Sequence, residues 1–144
     1  MAKTSDLTKT PAFLLLLAAN LMARPFVETI GREHDLTLAE WRCMMVLAPR
    51  PGLANVDVAE ASGVDVMTAS RALRRLERRG RLARHPDPTD RRRVMAKLTA
   101  QGLRLYETIA ASAEHRLELL LADLAVEDRA ELTRYLGAII ARLR

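Results

Sequence analysis

The chain has 144 residues, 49% of them hydrophobic and 28% charged, a balance that suits one folded domain with a real core and excludes a disordered tail. Aromatic residues make up only 3%, which argues against the base-stacking platforms used to hold single-stranded nucleic acid. The net charge of +5 favours a polyanion or an anionic surface as partner, and the single cysteine, Cys43, excludes an intramolecular disulfide and fits a reducing compartment, hence a cytoplasmic protein.

Lys3 and Lys9 precede an apolar run, Ala12–Ala19, which has the outline of a secretory leader. A buried helix is the preferred reading. Asp6 sits in the would-be basic region, Asn20 interrupts the run, and Phe26, Val27 and Ile30 continue the apolar pattern beyond it. The run is also shorter than the roughly 20 residues that cross a bilayer. Thr10–Pro11 supplies a capping hydroxyl and a proline at the first helical position, so a helix is predicted from about residue 10 to Glu33. Leu14–Leu17 are apolar in every direction, which predicts protein on most sides of this helix. Pro25 is expected to kink or break it.

Leu36–Gly52 reads as a second helix, with Thr37 and Glu40 as a capping box and Pro49 and Pro51–Gly52 as its end. Trp41, Met44, Met45 and Val46 give it a broad apolar face, with Trp41 read as core. Asn55–Leu76 has a helix–turn–helix pattern. Ala59 lets two helices cross closely, Gly63 suits the turn, and Asp65 caps the second helix. That helix carries an inner stripe of Val66, Ala69, Leu73 and Leu76. Thr68, Arg71, Arg75 and Arg78 then point away, flanked by Met67, Ser70 and Arg74.

After Gly80 the pattern changes to a β-hairpin, Arg81–Leu98, whose turn is fixed by Pro86-Asp87-Pro88-Thr89-Asp90. Its return strand alternates, with Val94, Ala96 and Leu98 on one face. Thr99 caps a long helix from about Ala100 to Leu124, and a last helix runs from about Glu127 to Leu143. The fold class is mainly α: a winged helix-turn-helix with long terminal helices and a two-stranded β wing.

Charge is concentrated in the middle. Arg71–Arg93 holds ten arginines against the three acids Glu77, Asp87 and Asp90, so this segment is +7 while the rest of the chain sums to −2. A charge run is usually a solvated face. A solvated helix, however, mixes signs, and five like charges (Arg71, Arg74, Arg75, Arg78, Arg79) repel one another unless a polyanion faces them. A basic helix followed by a basic hairpin is the layout in which the helix enters the major groove and the wing reaches an adjacent minor groove.

Other chemistry has little support in the sequence. Cys43 lies between Trp41 and Met44 and reads as structural rather than redox-active. His34, His85 and His115 have no metal-ligand spacing. No nucleophile–base pair, paired carboxylate or glycine-rich phosphate loop stands out, so neither catalysis nor a cofactor is expected.

The segments LTLAEWRCMMVL, VDVAEASGVDVMTASRALRRLERRGRLAR and DPTDRRRVMAKLTAQG resemble the MarR (multiple antibiotic resistance regulator) family of transcriptional regulators, in element order over essentially the whole chain. The wing motif is the most specific part: D-x-R, five residues, then L-T-x-x-G, falling on Asp90, Arg92, Leu98, Thr99 and Gly102. The resemblance implies a six-helix winged-helix protein with a DNA-binding lobe at about 36–99 and dimerisation helices at about 10–33 and 100–144. It implies that Thr68, Ser70, Arg71 and Arg74 face bases and phosphates, with Arg75 and Arg78 on the same helix. It implies that Arg91 and Arg92 enter the minor groove, with Arg93 a third wing arginine, and that Asp90 orders the tip by pairing with an arginine. It also implies an effector site near Phe26, Trp41, Met44 and Met45, suited to a small aromatic acid or phenol.

The expected function is a dimeric, sequence-specific repressor of a palindromic operator on double-stranded DNA. The alternative is a non-specific architectural DNA binder without an effector. A basic peripheral membrane protein is disfavoured, because the arginine helix lacks an aromatic wedge for an interface.

Overall fold

The computed structural model describes residues 6–144. The chain forms two compact units, the first ending at Tyr106 and the second comprising Glu107–Arg144. Six helices are present among the described residues: α1 (Pro11–Glu33), α2 (Leu38–Leu47), α3 (Asn55–Ser62), α4 (Val66–Arg78), α5 (Ala100–Leu120) and α6 (Val126–Leu143). The strands are β1 (Leu53–Ala54), β2 (Leu82–Pro86) and β3 (Val94–Leu98), in the antiparallel order β1-β3-β2.

Helix α1 begins as its cap dictates, with the Thr10 hydroxyl accepting from the Phe13 N–H at 3.4 Å. It does not break at Pro25. The proline is followed at once by one turn of π-helix, Phe26–Ile30, in which the Thr29 hydroxyl donates to the Pro25 carbonyl at 2.6 Å. Within the π turn the helix faces inward through buried Phe26 and Ile30. Before it, Phe13, Leu14, Leu16, Leu17, Leu21 and Met22 all stand in solvent, Leu16 at 60%. The protein environment expected around Leu14–Leu17 is therefore not supplied by the described residues of the first unit. The helix is also longer than its apolar run. At 23 residues it is long and apolar enough, by length and composition alone, to cross a membrane.

Helix α2 is nucleated by the predicted capping box: the Glu40 N–H donates to the Thr37 hydroxyl at 3.2 Å and the Thr37 N–H to Glu40 Oε2 at 2.7 Å. Its buried face is Glu40, Trp41, Cys43, Met44, Val46 and Leu47, while Met45 is exposed. Helices α3 and α4 form the helix–turn–helix. Ala59 is buried at their crossing, and Gly63 ends α3 at φ +69°, a left-handed position that costs other residues about 1–2 kcal/mol. The buried stripe of α4 is Ala69, Ala72, Leu73 and Leu76. Val66, expected inside, is exposed. At 100° per residue it lies about 70° round the helix from the middle of the stripe, so Ala72 takes the inner place.

The wing pairs as predicted, from Leu82 opposite Leu98 to Pro86 opposite Val94. The sheet has a third strand that the hairpin pattern did not reveal: Leu53 and Ala54 pair with Ala96 and Met95. Thr99 joins wing to α5, its hydroxyl accepting from the Gly102 N–H at 3.1 Å and donating to the Gly80 carbonyl at 2.6 Å. Glycine is required at 102 because a Cβ there would overlap the Arg81 carbonyl oxygen. The L-T-x-x-G sequence is thus a packing device where a strand end and a helix start touch.

In the second unit, α6 carries Leu132, Tyr135, Ile139, Ile140 and Leu143 exposed, and the end of α5 exposes Leu117, Leu119 and Leu120. Arg134 pairs with Glu131 at 2.7 Å and lies 4.4 Å over the Tyr135 ring.

Candidate nucleic-acid interface

The interface is built from one helix and one hairpin. Helix α4 starts at Asp65, whose carboxylate accepts the Thr68 N–H at 2.8 Å and the Thr68 hydroxyl at 2.6 Å. These bonds hold the Asp65 carboxyl below its ordinary range. The Thr68 hydroxyl proton is therefore engaged in the cap, leaving its oxygen to accept from Arg71 Nη2 at 3.5 Å. One turn on, Arg74 Nη2 donates to the Ser70 hydroxyl at 3.0 Å. Arg71, Arg74 and Arg78 are exposed, and none of them has a carboxylate partner among the described residues. They form a cationic outer face opposite the buried stripe.

Arg75 does not belong to that face. Its guanidinium donates to Glu40 at 3.0 Å and pairs with Asp35, so the structure turns it toward the protein's own carboxylates. Arg79 also pairs with Asp35. The reason is local. Glu40 is 0% exposed and already committed to the α2 capping box, and its buried charge is compensated by Arg75 of α4. Asp35 sits at the corner between α1 and α2 at φ +46°, a conformation aspartate tolerates better than most residues. Arg81 completes the cluster by donating to the His34 carbonyl at 2.6 Å and the Asp35 carbonyl at 3.2 Å. Glu77, the one acid within α4, accepts twice from Arg84 of β2, at 2.5 and 2.8 Å, and so fastens the wing to the helix.

At the wing tip, Asp87 accepts the Thr89 N–H at 2.8 Å and hydroxyl at 2.7 Å, which lowers its pKa. Asp90 organises the turn through backbone, accepting the Arg92 N–H at 3.0 Å. The arginine pairing expected of it is made elsewhere: Arg93 reaches back to Asp57 of α3 at 3.0 Å. Arg91 and Arg92 are left exposed at the tip.

The residues expected to line an effector pocket are partly together. Phe26 stacks on Trp41 with ring centroids 6.0 Å apart, and Trp41 stacks on Tyr106 at 5.4 Å. Met44 is fully buried and Met45 is on the exposed side of α2. Tyr106 completes the stack and carried no local signal in the sequence, lying mid-helix among mixed residues. A separate open groove of about 570 Å³ lies at the α1–α2 corner, lined by Val27, Arg32, Asp35, Leu36, Leu38 and Arg75 among others, and by none of the four expected residues.

Cys43 is fully buried, and burial, followed by the Glu40 charge, raises its pKa to about 11, although a hydrogen bond to Ser62 acts the other way. At pH 8 about one thiol in a thousand would be ionised. The native protein is expected to leave a colorimetric disulfide reagent unreacted for hours and to consume one equivalent after denaturation. Stoichiometric labelling within minutes under native conditions would show the site to be open.

A helix–turn–helix whose second helix presents unpaired arginines, fastened to a hairpin with two arginines at its tip, defines a winged helix-turn-helix protein of the DNA-binding class. The model of the MarR family matches residues 36–94. An HTH-type transcriptional repressor of Mycobacterium bovis is 30% identical over 126 residues, covering 88% of this chain and 91% of its own. The chain belongs to the MarR family of transcriptional regulators. Among solved structures, the PcaV transcriptional regulator from Streptomyces coelicolor with its natural ligand superposes with a TM-score of 0.80 at 28% identity over the whole of both chains. NadR in complex with 4-hydroxyphenylacetate gives a TM-score of 0.84 at 27% identity, covering 97% of this chain and 98% of that one.

Proposed function

We propose that this protein is a cytoplasmic, homodimeric repressor that binds a palindromic operator in double-stranded DNA and is controlled by a small aromatic acid. The carrying observation is the outer face of α4, where Arg71, Arg74 and Arg78 stand together without carboxylate partners among the described residues, while Arg75, and Arg79 just past the helix end, are neutralised internally. Arg71 lies nearest the helix start, where recognition helices approach base edges, and is assigned to a guanine. Arg78, at the far end, is assigned to phosphate, and Arg91 and Arg92 to the minor groove. Ser70 and Thr68 complete the polar surface around Arg71. Arg93 supports the wing from Asp57.

In this reading residues 36–99 are the DNA-binding lobe, and α1, α5 and α6 supply dimerisation. The exposed leucines of α1 and the exposed apolar residues of α6 support a second copy as their cover. The aromatic ligand is supported by the Phe26–Trp41–Tyr106 stack, by the neighbouring Met44 and Met45, and by the 4-hydroxyphenylacetate bound to NadR. The reading assigns the protein no catalysis.

Selection of bound duplexes from a random pool, followed by footprinting, tests it. Enrichment of an inverted repeat with half-sites about one helical turn apart is expected. Arg71→Ala should then relax preference at one position per half-site, by about 1–3 kcal/mol of discrimination. Uniform coating without an enriched sequence would instead establish an architectural binder.

A further inference from the structure

Val66 and Met67 are the only large apolar side chains of α4 that stand in solvent, Met67 at 65% exposure. Met67 lies about 170° from the middle of the buried stripe, so it points straight out, one turn ahead of Arg71 on the same face. Everything else large on that face is an arginine. The first turn of a helix ordinarily gains from acidic residues near its positive end, yet beyond the Asp65 cap the first turn of α4 has none. A methionine in that place gains nothing from the helix dipole and little from burial.

What would cover it follows from the geometry already assigned to Arg71. The major-groove edge of a base pair offers hydrogen-bonding groups and, on thymine alone, an apolar group, the C5 methyl. A flexible thioether chain can follow such a methyl without strict angular demands. Residues four apart on a helix sit about 5–6 Å from one another, and stacked bases are about 3.4 Å apart. The two side chains therefore address positions one or two base pairs apart.

Building on the regulator reading above, we infer that Met67 is a specificity-determining residue that packs on the C5 methyl of a thymine one or two base pairs from the guanine read by Arg71, with Val66 at its side. Each half-site then contains both an arginine-read guanine and a methionine-read thymine. The protein recognises the methyl group itself, not only the hydrogen-bonding edge of the base.

The test replaces single thymines of the selected operator with uracil, which keeps every hydrogen-bonding group and removes only the methyl. With the full-length wild type, one thymine per half-site should lose about fourfold in affinity on replacement, the size expected for one buried methyl. Met67→Ala should bind the thymine operator about as weakly as the wild type binds the uracil operator, and be insensitive to the exchange. Met67→Leu should recover sensitivity. Since Met67 is 65% exposed, the far-ultraviolet dichroism and unfolding midpoint of both variants should match the wild type. Uracil tolerated at every position by the wild type, or the same loss in Met67→Ala, would overturn the assignment while leaving the regulator reading intact. If no sequence is enriched in the selection, the regulator reading and this assignment fall together.

Discussion

Leu16→Glu is expected to abolish operator binding by removing the dimer. Leu16 stands 60% exposed on the half of α1, Pro11–Pro25, in which no residue is buried. In a twofold-symmetric dimer each substitution acts twice. Losing the burial of one leucine costs about 2 kcal/mol, so two copies raise the dissociation constant by about three orders of magnitude before the added carboxylate is counted. Sedimentation at micromolar concentration should show a dimer for the wild type and a folded monomer for the variant. Leu120→Glu, on an exposed position near the end of α5, should act in the same direction. A monomeric wild type, or a Leu16→Glu variant that binds the operator normally, would remove the reason for a palindromic site.

Arg75→Ala is expected to destabilise the protein by about 2–4 kcal/mol, more than any other substitution on α4's polar side. Removing one partner of a buried ion pair leaves the other charge uncompensated, and Glu40 has no access to water. The range is set below that for a fully buried pair because Arg75 itself is 29% exposed. Urea unfolding measures it. Glu40→Gln in the same chain should recover part of the loss, since neither charge then remains. DNA binding separates this role from direct contact. Arg75→Met should leave the dependence of affinity on salt unchanged, whereas Arg78→Ala should reduce the slope by about one unit. A stability change below about 0.5 kcal/mol for Arg75→Ala, or a slope reduced as in Arg78→Ala, would return Arg75 to the DNA-binding face.

That contrast shows where the sequence is readable. Local chemistry announced itself: the Thr37–Glu40 capping box, the left-handed turn at Gly63, the Asp65 cap and the proline-bounded hairpin are all written within a few residues, and each is found in place. The outer face of α4 was likewise legible from the period of its apolar residues. What periodicity could not reveal is which arginines the protein keeps for itself. Arg75 and Arg78 are both polar positions of one helix, and only the arrival of Glu40 and Asp35, 35 and 40 residues earlier, separates them. The same holds for Arg93, claimed by Asp57 across 36 residues, and for β1, two residues long and recognisable only by its partner. Tyr106 joins Phe26 and Trp41 for the same reason: the stack draws on three helices far apart in the chain.

The π turn after Pro25 gives α1 two rotational phases. Residues before it present their leucines to solvent, and the turn itself carries Phe26 and Ile30 into the core. A π turn holds one residue more than the α-helical turn it replaces, and one residue is worth about 100° of rotation. The leucine stripe is thus aimed independently of the anchor below it, as a dial is set against a fixed shaft. Shortening the turn by one residue would keep every side chain of both halves and still swing the stripe about a quarter of a revolution. In the dimer proposed above, the direction in which a second copy is met would therefore be encoded in the spacing of Phe26–Ile30, not in the identity of the leucines.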